Sequence, residues 1–208
     1  MPDWRNLPLL FCATLLGCSS QPSQPPQSEH ATQSWEQRQQ QLSPLTQWQV
    51  LGKIRIQTDD SSSAANLNWT QRLDHYRIYM AGPLGQGAIN IEGSEQTGIT
   101  LDISGEGRQQ ASSPEQLLAQ RLGWAVPISQ MPYWIRGVPA PKEQYSKQLD
   151  PSNRLRQLQQ SGWTIDYIDY HEDQQPQLPH KIRLNRDNSL KLLLILKQWQ
   201  FDPLTTAR

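Results

Sequence analysis

The stretch Trp48-Gln49-Val50-Leu51-Gly52-Lys53-Ile54-Arg55-Ile56-Gln57 places apolar side chains at 48, 50, 54 and 56 and polar ones at 49, 53, 55 and 57. A period of two sends successive side chains to opposite faces of a pleated chain, so the stretch predicts a strand with one face buried and the other wet. The alternation returns in Ala65, Leu67 and Trp69, in Tyr76, Ile78 and Met80, in Ile89 and Ile91, and in Ile99, Leu101 and Ile103, with turn-rich breaks between. These breaks leave no room for crossover helices, so neighbouring strands pair antiparallel and the N-terminal half reads as a meander.

Strands resume with Leu155 and Leu158, turn at Ser161-Gly162 and continue through Trp163, Ile165 and Tyr167. Ile182 and Leu184 follow, then a turn at Asp187-Asn188-Ser189 and the long run Leu190 to Trp199. That last run is apolar on both faces, which predicts cover on two sides and favours helices packed against a curved sheet. Three helices are expected. Ser34 and Gln37 form a capping box ahead of Trp35, Arg38 and Leu42, which share one helical face. Ser113-Pro114-Glu115 opens a second helix through Leu117, Leu118 and Leu122, stopped by Gly123. A third, short helix spans about Ser129 to Ile135. No repeat of about 20 to 50 residues is present, which argues against solenoids and propellers. The fold class is mainly β with a few helices.

The beginning of the chain has a different character. Arg5 is followed by an apolar stretch from Leu7 to Leu16 and by Gly17-Cys18. Such a stretch is too short to span a bilayer and suits an export signal. Leu15-Leu16-Gly17-Cys18 resembles a lipobox, so residues 1–17 are expected to be a lipoprotein signal peptide and Cys18 the lipidated residue. Residues 18–33, rich in Ser, Gln and Pro, are the expected flexible tether, and 34–208 a single β domain. Cys12 falls in the part to be removed, so the mature chain keeps one cysteine and no internal disulfide is possible. Ser19 follows Cys18 where enterobacteria-like sorting commonly uses aspartate for inner-membrane retention, so by that resemblance the outer membrane is the expected destination. Lys and Arg number 19, as do Asp and Glu, so neither nucleic acid nor anionic lipid is an obvious partner.

The chain lacks the parts of common enzymes. It has no G-x-S-x-G elbow and no P-loop, and the mature chain has no free thiol. Gly82, Gly85 and Gly87 have the wrong spacing for a dinucleotide fingerprint and read as a permissive hairpin loop. His171-Glu172-Asp173 reads as a solvated turn, and His30, His75 and His180 join it in no metal-binding spacing. No cofactor or metal is expected. Seven tryptophans remain in the mature chain, and packing accounts for most of them. Gly82-Pro83-Leu84-Gly85 resists that account, because it sets a leucine at a tight turn between two strands. Burying a leucine is worth about 1.5 to 3 kcal/mol, so Leu84 either folds back under the sheet or awaits a partner.

Several segments together resemble the LolB family of outer-membrane lipoprotein receptors. They are the lipobox at Cys18, the Trp35 helix leading to Trp48 and Gly52, and Tyr76-Arg77-Ile78 followed by Pro83-Leu84-Gly85. Trp134-Ile135-Arg136-Gly137-Val138-Pro139, Tyr145 through Leu149-Asp150 and the closing strand with Trp199 complete the match. The resemblance implies an antiparallel, incompletely closed β barrel with a lid of short helices over an apolar cavity. It implies a monomer, lipid-anchored in the outer membrane and facing the periplasm. This protein would take triacylated lipoproteins from the soluble carrier LolA and place them in the membrane without ATP. At about 0.8 kcal/mol per methylene, three long acyl chains would cost on the order of 30 kcal/mol to expose to water, which a relay of apolar cavities avoids. By the same resemblance Leu84, between Pro83 and Gly85, is the exposed leucine of a loop important for transfer. Cavity candidates taken from apolar strand and helix faces are Trp69, Ile78, Met80, Ile91, Leu101, Leu118, Trp134 and Ile182. The competing reading is a lipid-anchored scaffold subunit of an envelope complex, which would show no saturable binding of an apolar probe.

Overall fold

The computed structural model describes residues 33–201 apart from 95, 124, 125 and 188, so the expected signal peptide, Cys18 and nearly all of the tether lie outside the described residues. A first helix, α1 (Trp35–Leu42), leads into six strands: β1 (Gln47–Thr58), β2 (Ser62–Arg72), β3 (His75–Ala81), β4 (Ile89–Ser94), β5 (Gly98–Ile103) and β6 (Gly107–Ala111). Helices α2 (Pro114–Leu122) and α3 (Met131–Trp134) follow. Five strands close the chain: β7 (Tyr145–Leu149), β8 (Leu155–Gln160), β9 (Trp163–Tyr170), β10 (Pro179–Arg186) and β11 (Leu190–Phe201).

All of these strands form one antiparallel sheet in the order β6-β5-β4-β3-β2-β1-β11-β10-β9-β8-β7. The first and last strands, β1 and β11, are the longest at 12 residues each and pair at its centre, from Trp48 opposite Phe201 to Thr58 opposite Leu190. The two edges, β6 and β7, do not meet, so the barrel stays open. The chain between them carries α2 and α3 and covers the inner face. Leu117, Leu118, Val126, Ile128, Met131, Trp134 and Ile135 join one apolar core with Trp48, Val50, Trp69, Ile78, Ile91, Leu101, Ile165, Ile182, Leu194 and other inward strand residues.

Local rules account for most elements. Ser34 accepts a bond from the Gln37 amide and the Gln37 side chain accepts one from the Ser34 amide, completing the capping box. Trp35, Arg38 and Leu42 are the buried face of α1. Ser113 caps α2, Pro114 stands in its first turn, and Gly123 ends it in the left-handed region at φ 75°. Leu155 and Leu158 both face the core despite their odd spacing, because the β7–β8 register slips between Gln148 and Leu149 and absorbs Arg156 as an extra residue.

Two expectations need correction, and two strands were not anticipated. The third helix is one turn, Met131–Trp134, rather than 129–135, since the following amides of Arg136 and Gly137 take tighter bonds to Tyr133 and Trp134. Among the described residues no helix covers the outer face of β11. Leu193 and Ile195 are half-buried there between Arg55 and Arg183, and between Lys53 and Lys181, their cross-strand neighbours. Long cationic side chains can cover apolar surface with their stems. Finally, the polar edge strands β6 and β7 have no apolar alternation to announce them.

Arg136 fastens the covering segment to α1. It is 2% exposed, yet no carboxylate pairs with it among the described residues. Its Nε donates to the Pro132 carbonyl at 2.7 Å, and its Nη1 donates to the carbonyls of Leu42, Ser43 and Leu45 at 3.0, 3.2 and 2.6 Å. The negative end of the α1 dipole and its unfilled carbonyls thus stand in for a counter-ion. Burial pushes its pKa down to about 10, with the neighbouring Tyr133 opposing, so the group remains a cation at neutral pH.

Two substitutions test this framework. A Cβ on Gly52 would stand 2.1 Å from the Ile195 carbonyl oxygen, at the bulge of the β1–β11 ladder. Gly52→Ala is therefore expected to cost about 1 to 3 kcal/mol in denaturant titration, and an unshifted midpoint would show that the bulge yields freely. Arg136→Lys keeps the charge but cannot reproduce the fan of bonds, and should lower stability by about 1.5 to 3 kcal/mol. A lysine variant melting with the parent would remove Arg136 from its place as fastener.

Candidate functional site

Between the inner face of the sheet and the covering segment lies a small, dry cavity of about 30 Å³. Its walls come from β1 (Ile54, Ile56), β2 (Leu67, Trp69), β3 (Ile78, Met80), β4 (Ile91) and β11 (Leu192, Leu194), and Val126, Ile128 and Met131 line its remaining side. Every lining residue is apolar. The strand contributions follow from parity, because each is an inward member of an alternating run, and the register sets Ile54 between Ala65 and Leu194.

A second cavity, of about 470 Å³, adjoins at the end of the sheet where β1 begins and β2 turns into β3. Its lining is mixed: Trp48, Leu73, Ile128 and Pro132 stand with Gln71, Asp74, Tyr76, Ser94, Glu115 and Arg136. Burial, and after it the nearby Glu115, raises the Tyr76 phenol to about 12, so it stays protonated at neutral pH. Ile128 lines both spaces and forms part of the partition between a wet vestibule and a dry interior.

The covering segment is held unevenly. At its C-terminal side Gln160 receives a bond from the Trp134 indole at 2.8 Å and brackets Ala140 with two more, while the Tyr167 hydroxyl donates to the Trp134 carbonyl at 2.9 Å. Across Val126 to Met131 the hydrogen bonds among the described residues are local, apart from a long one from Ser129 to Glu115 on α2 at 3.4 Å. Among the described residues none joins that stretch to a strand. Apolar contact alone holds the stretch against the sheet, and such contact has no fixed direction to resist sliding.

Of the eight residues expected to line a cavity, Trp69, Ile78, Met80 and Ile91 line the dry one. Leu101, Leu118, Trp134 and Ile182 are at most 1% exposed in the same core but do not border it. In this structure they pack within the core. Sequence reasoning missed Ile54, Ile56, Leu67, Leu192 and Leu194, although their alternation was visible. It also missed Val126, Ile128 and Met131, whose spacing follows neither a strand nor a helix period.

Leu84 stands apart from both cavities. It is 98% exposed on the turn Pro83–Gly85, with φ 59° and ψ 21°. The turn is closed by bonds from the Gly82 amide to the Gln86 carbonyl at 2.9 Å and from the Gly85 amide to the Gly82 carbonyl at 3.1 Å. A leucine in the left-handed region is strained by roughly 1 to 2 kcal/mol, and this one gains no burial in return. Cys18 lies outside the described residues.

Comparison with known proteins agrees with this architecture. Residues 46–199 match the family model described as Outer membrane lipoprotein LolB. Outer-membrane lipoprotein LolB of Pseudomonas paraeruginosa is 40% identical over 189 residues, covering 90% of this chain and 91% of the relative. Those of Pseudomonas aeruginosa and Pseudomonas putida are each 39% identical over the same length. Among solved structures, a LolA superfamily protein from Nitrosomonas europaea superposes with a TM-score of 0.50 at 13% identity, over 76% of this chain and 87% of that one. A DUF1329 family protein from Desulfovibrio piger does so with a TM-score of 0.51 at 6% identity, over 80% and 90%. These two speak to the fold alone. The extent of the family match and the identity across nine-tenths of the chain make it a member of the LolB family of outer-membrane lipoproteins.

Proposed function

We propose that this chain is the receptor that accepts triacylated lipoproteins from the periplasmic carrier LolA and inserts them into the outer membrane. Their acyl chains enter the space now occupied by the dry cavity, and no nucleotide is spent. On this reading residues 1–17 are removed, lipid on Cys18 holds the protein at the membrane, and the β domain works as a monomer facing the periplasm. It binds and releases rather than catalyses.

The observation that carries the reading is the wholly apolar lining beneath a segment with no hydrogen bond to the strands among the described residues. A space of about 30 Å³ is far too small for an acyl chain. Cargo therefore enters by displacing Val126, Ile128 and Met131, pivoting on the part that Gln160, Tyr167 and Arg136 hold. Direction comes from rising affinity along carrier, receptor and bilayer, because a binding partner shifts an equilibrium only by its differential affinity.

Leu84 serves release on this reading, touching the lipid surface or the arriving acyl chains. Its exposure on a self-bonded turn supports such a contact, since the turn presents the side chain without using it in the core.

Mixing the unlipidated protein with carrier loaded with a lipoprotein tests the function directly: cargo should pass to it, and an apolar fluorescent probe already bound should leave. Cargo that stays on the carrier while the probe never binds saturably would return the chain to the scaffold reading. Leu84→Gly and Leu84→Glu then separate delivery from folding. Glycine relieves the turn's strain, so its melting point should equal or exceed the parent's, and both variants should accept cargo yet incorporate it into liposomes several-fold more slowly. Normal incorporation by both variants would remove Leu84 from the mechanism.

A further inference from the structure

Equal totals of acid and base conceal a one-sided distribution on the sheet. The register places Lys53 and Arg55 of β1 opposite Ile195 and Leu193 of β11, and those opposite Lys181 and Arg183 of β10. Lys191 stands one pair further along the same outer face, and Lys197 protrudes at the bulge. Six cations thus occupy three adjacent central strands, and among the described residues none has a carboxylate within ion-pair distance. Elsewhere some cations are paired, as in Arg77 with Glu92, Arg121 with Glu106 and Arg154 with Asp150, while Arg72, Lys142, Lys147, Arg156 and Arg186 stand singly rather than as a cluster.

The acids bordering this face are few or engaged. Asp166, across from Arg183, accepts from Gln157 at 2.8 Å, and Asp169, across from Lys181, is bonded to His180 at 2.9 Å. Asp59, Asp60 and Asp187 lie in turns beyond the strand ends. Beside the bulge a groove of about 420 Å³ is lined by Lys53, Lys197, Asn66, Asn68 and Tyr79 among others. Two ammonium groups, two amides and a phenol suit a phosphate group, which accepts hydrogen bonds on several oxygens at once.

We propose that this outer face docks on the headgroups of anionic phospholipid, the groove taking one phosphate and the row of cations its neighbours. The inference rests on the reading of the chain as a protein that works at a membrane. Ala81 ends β3 level with Asn66, which pairs with Lys53, so the turn bearing Leu84 leaves the sheet at the end where Arg55 and Lys191 lie. A domain tethered to a bilayer has a phosphate layer always within reach, and unpaired surface cations respond to it over about one Debye length, roughly 8 to 10 Å. Leu193 and Ile195 between the cations add no charge that an acidic protein partner would need to match.

The test uses the full chain with Cys18→Ala, so that no acyl anchor contributes, and vesicles of phosphatidylcholine with or without phosphatidylglycerol. The parent and its neutralised variants carry the same leader, so any contribution of the leader is common to them and the comparison between them isolates the sheet face. Binding should favour the anionic vesicles by about tenfold or more at low salt and lose that preference at high salt. Adding Lys53→Gln, Arg55→Gln, Arg183→Gln and Lys191→Gln should abolish the preference in a variant that thermal melting shows to be folded. Should that variant unfold, Lys53→Gln with Lys197→Gln should still reduce it by a measurable fraction. Leu84→Glu should keep it. Equal binding to both vesicle types by a protein that still takes cargo from the carrier overturns this proposal and spares the receptor reading. Failure to take cargo, with the anionic preference intact, does the reverse. A neutralised variant that binds vesicles normally but no longer meets the carrier overturns the proposal by assigning the face to a protein.

Discussion

The pairing of the first strand with the last is the constraint on which everything else depends. β1 and β11 each span 12 residues, and each carries a half-sheet on its other side. Without that ladder the two meanders would share no backbone bond, and the inward faces that line the cavity would belong to separate sheets. The ladder also explains the close fit at Gly52, where the register slips and the opposing carbonyl leaves no room for a side chain. Long-range pairing of this kind closes the largest loop in the chain, so it is expected to form late in folding and to be cooperative with the core.

On the proposed reading the interior must be dry and yet admit a guest, which sets opposite demands. Buried polar groups give a structure fixed geometry, because each lost bond is costly, whereas apolar contacts are tolerant of rearrangement. The protein separates the two along one segment. From Trp134 to Ala140 the chain is bonded to Gln160 and Tyr167 and, through Arg136, to the end of α1. Over Val126, Ile128 and Met131 it relies on apolar packing against the sheet. One part can therefore serve as a fixed pivot and the other as a movable cover.

Much of this was legible in the residue order. Apolar patterning located nine strands, seven by alternation, one from Leu155 and Leu158 and the last from its continuous apolar run, and the caps of α1 and α2 followed from Ser34, Gln37, Ser113 and Gly123. The edges β6 and β7 escaped because Arg108-Gln109-Gln110 and Ser146-Lys147-Gln148 bury almost nothing, and a strand without a buried face leaves no periodic trace. The exposed leucine was visible as an oddity, though not its left-handed backbone. Cavity residues were half legible. Parity tells which side chains share a face, but only the path of the covering segment decides which of them border empty space, and Leu101, Leu118, Trp134 and Ile182 proved to be packed solid. The cationic face was hidden for a related reason: its members lie far apart in sequence, and only the register brings them together.

The open seam between β6 and β7 carries one more implication. In a closed barrel, strand number and shear fix the radius, and widening it means breaking backbone bonds. A sheet with two free margins can uncurl, increasing its girth while every ladder stays intact. Both margins are polar, which also discourages the molecule from zipping onto a second copy of itself. On the proposed reading such a change of curvature would add to the room made by displacing the cover, so that cargo of different bulk is met by the same unbroken ribbon of strands.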